Sequence, residues 1–368
     1  MTSDYVIVGA GLTGAVMARH LVDAGEQVVV LDRRPQLGGN VADYFHPSGI
    51  HVHRYGPHLF RTVSDEIWSF VNRFATFHPY QHRIKSVVDG ELENWPIAAS
   101  YIRRVCGERW TPARASDSPA NFEEAALSLM PEVIYEKFVK RYNEKQWGVP
   151  AHRLEAALCR RFDVRMDDNP YLTPKAKHQG IPTEGYSRMV ERILEGIPLV
   201  LNFDYLADRD CFKARKRVIF TGPIDEFFGF SLGKLDYRGQ KRTHTYHADV
   251  DWRQPCGQVN NPNGAAHIRD IEWKHMMRPD YAERIRGTFL TRETPYSPQS
   301  PEDYEYPFPD DLNRNLFSEY QRLAATEPGV LICGRLGEYR YYDMDHAIGR
   351  AMTLVKNLLS PALAEVRT

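Results

Sequence analysis

Gly9, Gly11 and Gly14 stand in the spacing G-x-G-x-x-G, and Asp32 follows 18 residues after the last of them. In that pattern the first glycine permits a tight turn, the second lets a pyrophosphate approach the backbone, and the third lets helix and strand pack closely. The free N–H groups at the helix start then face the phosphates, and an acidic residue at the Asp32 position can accept from ribose hydroxyls. A second candidate lies far downstream. Residues 334–352, GRLGEYRYYDMDHAIGRAM, gather Arg335, Tyr341, Asp343 and further arginines and tyrosines before a helix-like run. Arginines are suited to bidentate grip on phosphate, and tyrosine hydroxyls add donors without charge.

The elements that must position these residues are readable on either side. Tyr5 to Val8 is a short apolar run of the kind a buried parallel strand shows, Leu12 to Val22 is apolar at helical spacing, and Val28 to Leu31 is a second strand. Gly25 ends the helix between them. The spacing of Ile67, Trp68, Val71 and Phe74 predicts a helix over 63–78. Residues 82–97 read as a hairpin turning at Asp89-Gly90. Residues 97–146 read as mainly helical, broken by the polar stretch 111–119, which reads as a flexible loop. Buried strands are expected at 217–220 and 329–335, strand-like segments within 243–295, a proline-rich loop at 295–310, and a last helix at 345–360. Strands this late in the chain are needed to complete a parallel sheet begun at residue 5.

Of the 368 residues, 42% are hydrophobic and 26% charged, as in an ordinary soluble enzyme, and the length asks for two or three domains. A formal net charge of -1 leaves no electrostatic footprint for nucleic acid or anionic lipid. The five cysteines, Cys106, Cys159, Cys211, Cys256 and Cys333, are scattered without a framework spacing, so free thiols in a cytoplasmic setting are expected. The N-terminus enters a strand directly, with no signal-peptide pattern, and no apolar run is long enough to insert in a membrane. No His/Cys/Asp/Glu group has metal-ligand spacing, and no G-x-S-x-G elbow appears.

The stretch DRRPQLGGN after the second strand resembles the second fingerprint of FAD enzymes of the glutathione-reductase-like superfamily, which points to FAD ahead of NAD. Six ordered motifs then carry a more specific resemblance: HRYGPHLFRT (53–62), YNEKQWG (142–148), GIPTEGYSRMVERILEG (180–196), TGPIDEFF (221–228), IRDIEWKH (268–275) and GRLGEYRYYDM (334–344). Together they resemble the UDP-galactopyranose mutase family over about residues 4–360. The resemblance implies an α/β protein: a Rossmann-like FAD-binding domain (1–75, 200–235 and 325–368), an inserted helical bundle (97–150), and a mostly antiparallel sheet domain for substrate (76–96, 151–199 and 236–324). It implies an isomerase that interconverts pyranose and furanose forms of a nucleotide-activated hexose, by default UDP-galactose. In that family reduced FAD attacks the anomeric carbon through N5, UDP leaves, and the opened sugar recloses as a five-membered ring. An external reductant such as NAD(P)H, a homodimer and a cytoplasmic location follow from the same resemblance.

Site residues are carried over position by position. Arg165 and Arg269 match the phosphate-binding arginines, and Tyr306, Tyr341 and His178 the other phosphate contacts. Tyr142 matches the uridine-stacking residue, with Phe138 one turn before it, and Asn143, Trp147 and His82 complete the substrate set. His58 matches the flavin-facing histidine. Gly39, Asn40, Arg33, Gly222, Gly334, Arg335, Asp343 and the backbone of Met344 join the glycine triad and Asp32 around the cofactor. His58, Arg165, Arg269, Tyr341 and Asp343 form the expected catalytic set. The pattern departs at Arg61, where a histidine is usual, at Asn143 for threonine, at His178 for tyrosine, and at NWPIAAS (94–100). These departures touch the sugar and phosphate pocket, so a deoxy or acetamido hexose stays open as substrate. An oxidoreductase of the flavin amine-oxidase kind shares the N-terminal fingerprint but has no use for a phosphate clamp, and a non-catalytic flavin-bound protein has no use for YRYYDM.

Overall fold

The computed structural model describes residues 1–114, 117–162 and 164–360. Five parallel strands form one sheet in the order Leu199–Val200, Val28–Leu31, Thr2–Val8, Lys213–Phe220, Val330–Ile332. The run YVIV is apolar on both faces because both are covered. Tyr5 and Ile7 enter a core with the Leu12–Asp23 and Met344–Leu359 helices, while Val6 packs with Val29, Leu31, Phe220 and Phe227 on the other side. The Val330–Ile332 strand is only half-buried, because it lies at the sheet edge.

The second sheet has seven strands: Tyr306–Pro307, Tyr237–His247, Thr288–Tyr296, Arg269–Glu272, Gln258–Asn260, Ile84–Val88 and Glu91–Trp95. It is antiparallel except where Gln258–Asn260 runs parallel to Ile84–Val88. The expected hairpin is present, with Asp89 and Gly90 both at positive φ (54° and 88°) as a type I′ turn requires. Beside the Ile84–Val88 and Glu91–Trp95 strands lie the Ala99–Cys106 and Phe122–Leu127 helices and a continuous stretch from Glu132 to Trp147 whose middle, Tyr135–Lys140, widens into a π-turn. Phe122, Ile134, Tyr135 and Phe138 anchor its core. Among the described residues no helix is long and apolar enough to cross a membrane.

Three readings change, and a fourth falls partly outside the described residues. The helix expected over 63–78 spans only Asp65–Asn72, capped by the Ser64 hydroxyl, which accepts from the Ile67 N–H (3.3 Å). Phe77–His78 is instead a strand beside His178–Pro182, and its apolar phase reflects Phe77 packing on Phe60 and Trp68. The loop at 295–310 contains the Tyr306–Pro307 edge strand. In the stretch read as a flexible loop, Ala113 and Arg114 donate to the Met130 and Leu127 carbonyls, and Ala115 and Ser116 lie outside the described residues. The Tyr186–Ile193 helix buries Met189, Val190 and Ile193 in the parallel-sheet core, although the sequence assigns 151–199 to the other sheet.

Candidate active site

The two sheets frame two cavities that meet. The first is the cleft at the C-terminal ends of the parallel strands, where open α/β sheets take their ligands. Gly9, at φ +113°, closes the turn after the first strand, and a Cβ there would lie 2.0 Å from Thr221 Oγ1. A Cβ on Gly14 would lie 1.9 Å from the Gly9 carbonyl, so the close helix–strand contact requires the glycine. Asp32 lines the cleft and has a structural task there. Its two oxygens accept from the Ala10 N–H (2.7 Å) and the Arg34 N–H (2.8 Å), which ties the second strand to the glycine turn. The Gly38 N–H donates to the Ala10 carbonyl (3.0 Å), so the GGN turn clasps the first loop. Arg33 forms a two-point pair with Glu226 (2.6 and 3.0 Å), and Asn40 accepts from Arg34 (3.1 Å). Gly11, Gly39, Gly222, Gly334, Arg335, Asp343 and Met344 complete the wall.

Two helix N-termini open on this cleft, at Leu12 and Met344, and neither carries a side-chain cap. At the second the reason is visible. Asp343 is the preceding residue, but its carboxylate accepts from Arg61 Nη2 (2.9 Å) and from the Tyr341 hydroxyl (3.0 Å) instead of turning back. Uncapped N–H groups and a positive dipole end at each site suit a pyrophosphate and an electron-rich carbonyl. The glycine cradle, Asp32 and these two termini fit an FAD-type dinucleotide.

The second cavity, of about 580 Å³, shares Asn40, His58, Arg335, Asp343 and Met344 with the cleft. The helical stretch turns Phe138, Tyr142, Asn143 and Trp147 onto its wall. Trp95 packs against Phe138 and Phe162 to extend the aromatic surface. Arg269 projects from the second sheet with its Nε on Glu293 (2.6 Å), a fully buried carboxylate that also takes Arg242 Nε (2.9 Å). Arg242 in turn grips Glu305 at two points (2.8 Å each). Burial alone would lower the Arg269 pKa; the Glu293 carboxylate more than offsets it, so the guanidinium stays charged. Tyr306 and Tyr341 stand nearly parallel, ring centres 6.2 Å apart, with the Arg335 guanidinium 5.6 and 5.3 Å from them.

His58 is neutral here. Burial and then the Arg335 charge push its pKa down to about 4. Its Nδ1 lies 2.8 Å from the Gly56 carbonyl, which can only accept, so Nδ1 carries the proton and Nε2 is left as an acceptor. His82, also on the wall, is held at about 4 by burial.

Two expected contacts sit elsewhere. Arg165 is buried off the cavity wall, donating to the carbonyls of Asn169 (2.8 Å), Tyr171 (2.7 Å) and Leu172 (3.1 Å). His178 is turned onto the Asp65–Asn72 helix, with Nε2 2.7 Å from Asp65 and its ring stacked on Trp68 at 5.1 Å. Asn143 is on the wall, but its amide N–H is spent on the Val139 carbonyl (2.7 Å). Residues the motifs did not supply are Arg160, Tyr80, Gln258 and Asn260 on the wall, and Arg242, Glu293 and Glu305 behind Arg269. Glu293 had a signal: it lies in phase with buried Phe289 and Thr291 on its strand, where a carboxylate needs a partner.

A parallel-sheet dinucleotide cleft that opens into a cavity carrying a half-buried, charged arginine defines a cofactor-dependent enzyme of the FAD-binding Rossmann class. Residues 7–74 match the NAD(P)-binding Rossmann-like domain, and residues 137–341 match the UDP-galactopyranose mutase family. A probable UDP-galactopyranose mutase of Klebsiella pneumoniae is 34% identical, covering 97% of this chain and 95% of that one. The dTDP-fucopyranose mutase of Escherichia coli is 29% identical over 95% of this chain and 97% of its own. The crystal structure of reduced UDP-galactopyranose mutase has the same fold, with a TM-score of 0.79 at 18% identity, covering 98% of this chain and 94% of that chain. The chain belongs to the UDP-galactopyranose mutase family and is an isomerase of that type.

Proposed function

We propose that the protein interconverts the pyranose and furanose forms of UDP-galactose. The observation that carries this reading is the junction of the two cavities. His58, Arg335, Asp343 and Met344 border both, so a sugar in one can meet the reactive ring of a cofactor in the other. Reduced FAD supplies the nucleophile for the anomeric carbon. The protein's own work is to hold and neutralise. Arg269, kept charged by Glu293, grips the diphosphate as it leaves and returns, and the Tyr306 hydroxyl donates to its oxygens, as the Tyr341 hydroxyl does once its single proton turns away from Asp343. Tyr142 and Phe138 give a face for the base, a contact worth about 1–3 kcal/mol. The N–H groups at the Met344 helix start would hold the electron-rich edge of a bound flavin, and His58 Nε2 would accept a hydrogen bond from a donor at the junction. Arg165 reaches the diphosphate only if the 166–178 segment rearranges, as a mobile loop over the substrate would.

The test is dithionite-reduced protein with UDP-galactofuranose, following the pyranose by chromatography; turnover is expected only after reduction. NAD(P)H is the expected physiological reductant and a homodimer the expected assembly, checked by anaerobic flavin bleaching and light scattering. A second reading, a 6-deoxyhexose on the same chemistry, is favoured by the E. coli relative and by Ile84, Leu172 and Met276 on the cavity wall, which suit a methyl group. Turnover of dTDP-fucopyranose without turnover of UDP-galactose would replace the first reading by the second. Substrate-dependent peroxide from an amine panel would instead support an amine-oxidase activity.

A further inference from the structure

Four residues on the cavity wall form one hydrogen-bonded chain. Tyr80 Oη lies 2.9 Å from His82 Nδ1, His82 Nε2 lies 3.4 Å from Gln258 Oε1, and Gln258 Nε2 donates to Asn260 Oδ1 over 2.8 Å. His82, Gln258 and Asn260 are all buried.

Valence gives the chain a direction. Gln258 donates through its amide nitrogen to Asn260, so its oxygen faces His82, and His82 must carry its proton on Nε2. The ring is neutral, because burial holds its pKa near 4. Nδ1 therefore accepts, and the Tyr80 hydroxyl donates to it. Donation runs from Tyr80 to Asn260 without a break. Asn260 spends its oxygen on Gln258 and keeps its amide N–H groups for the cavity.

We propose that Tyr80, His82 and Gln258 are positioning residues that fix the Asn260 amide as a hydrogen-bond donor to the hexose, so that the enzyme selects a sugar with an acceptor oxygen at that point. This rests on the proposed nucleotide-hexose substrate. A site that loses such a partner leaves a buried donor unpaired, which discriminates more strongly than a missing methylene does.

The polarity can be reversed by one substitution. In Gln258→Glu a carboxylate accepts from both neighbours, so Asn260 must turn its N–H groups to residue 258 and present its carbonyl to the sugar. Gln258→Leu cuts the chain altogether. Purified flavin-loaded wild type and both variants are titrated with UDP, with UDP-galactopyranose, and with its 2-, 3- and 6-deoxyfluoro analogues; fluorine accepts but cannot donate. UDP affinity should stay within about twofold throughout. UDP-galactopyranose should bind about tenfold more weakly to Gln258→Leu, the size of one hydrogen bond. One fluoro analogue should bind wild type nearly as well as the parent sugar and lose about tenfold against it only in Gln258→Glu. Equal losses for UDP and UDP-galactopyranose, or fluoro-to-parent ratios unchanged between wild type and Gln258→Glu, would overturn the proposal. If wild type binds UDP but not UDP-galactopyranose, the substrate reading falls first. The same proteins are then titrated with dTDP-fucopyranose and its fluoro analogues, and the same reversal is required.

Discussion

Arg61 Nη2 donates to Asp343 Oδ2 over 2.9 Å, joining two residues 282 positions apart on the wall of the second cavity, where Asp343 borders the cleft as well. The other Asp343 oxygen accepts from Tyr341. One cation thus fixes the carboxylate that would otherwise cap the last helix, and with it the tyrosine proposed to reach the diphosphate. Both members of the pair are about one-third exposed (34% and 31%), so the pair adds little to folding, on the order of 0.5 kcal/mol.

Replacing Arg61 therefore separates function from stability. In Arg61→Met, Asp343 loses its cationic partner, and the Oδ2 that Arg61 held can turn to cap the Met344 helix, withdrawing N–H groups proposed to face the cofactor. We expect kcat/KM to fall about tenfold, a loss of roughly 1.4 kcal/mol, while the urea midpoint hardly moves. Arg61→His, the residue usual at this turn, should recover part of the loss. Unchanged kinetics in Arg61→Met, measured on fully reduced protein, would show that the pair is only a surface contact.

The Arg269–Glu293 contact makes the opposite prediction, because Glu293 is completely buried and holds two arginines. Removing one partner of a buried charge network costs about 3–5 kcal/mol. Glu293→Gln keeps the shape but not the charge, so it should destabilise by roughly 3 kcal/mol in urea unfolding. It should also weaken UDP binding, since Arg269 loses the group that aims it. A variant that unfolds early yet binds UDP normally would leave Glu293 with a folding role alone.

The parallel-sheet half of this protein was legible because its signals are local. The glycine spacing, the two apolar runs and Asp32 lie within one strand–helix–strand unit, and the cleft assembles around them. Arg269, Tyr306, Tyr341, Tyr142 and His58 were located through short motifs, and the structure brings them to one cavity. What the sequence did not yield depends on distant pairings. Nothing near His178 indicates that Asp65 and Trp68 will take its ring. Nothing near Arg165 indicates that the carbonyls of 169–172 will absorb its donors. The Tyr80–Asn260 chain needs Gln258–Asn260 to lie parallel to Ile84–Val88, a neighbour relation no spacing encodes.

Lys145 illustrates the same limit inside a recognised motif. The three N–H groups of its ammonium are shared among four backbone carbonyls, of Asn261 (2.6 Å), Asn263 (2.9 Å), Ala265 (2.9 Å) and His267 (2.8 Å), and so gather the loop before the Arg269 strand. Lys145→Met leaves those acceptors to water and frees the loop. It should lower stability by about 2 kcal/mol, from several lost charge-assisted bonds partly replaced by solvent, and raise KM through a displaced Arg269. Faster proteolysis within 261–267 would report the loosened loop directly; an unchanged cleavage rate would count against this role.

Acid should weaken the fold before it weakens most of its ion pairs. His58 and His82 are each held near 4 by burial, against an ordinary value of 6.5, so between those limits the unfolded chain binds more protons than the folded one. Stability then falls as pH drops through that window, by roughly 3 kcal/mol for each ring if the shifts are taken at 1.36 kcal/mol per unit. His53, buried beside His58, is displaced in the same direction, chiefly by burial. Asp225 acts the other way. Burial raises its carboxyl to about 6 from 3.8, so the folded chain holds that proton longer and gains stability on acidification, lost again as pH rises through 6. One carboxyl cannot offset three histidines, so the unfolding free energy in urea should decline steadily from pH 6.5 to pH 4.5. His82→Gln should flatten that decline by about one proton per molecule, and Asp225→Asn should steepen it. A wild-type profile that is level across this range would mean that the buried rings titrate normally, and the neutral His58 and His82 on which the cavity chemistry depends would have to be abandoned.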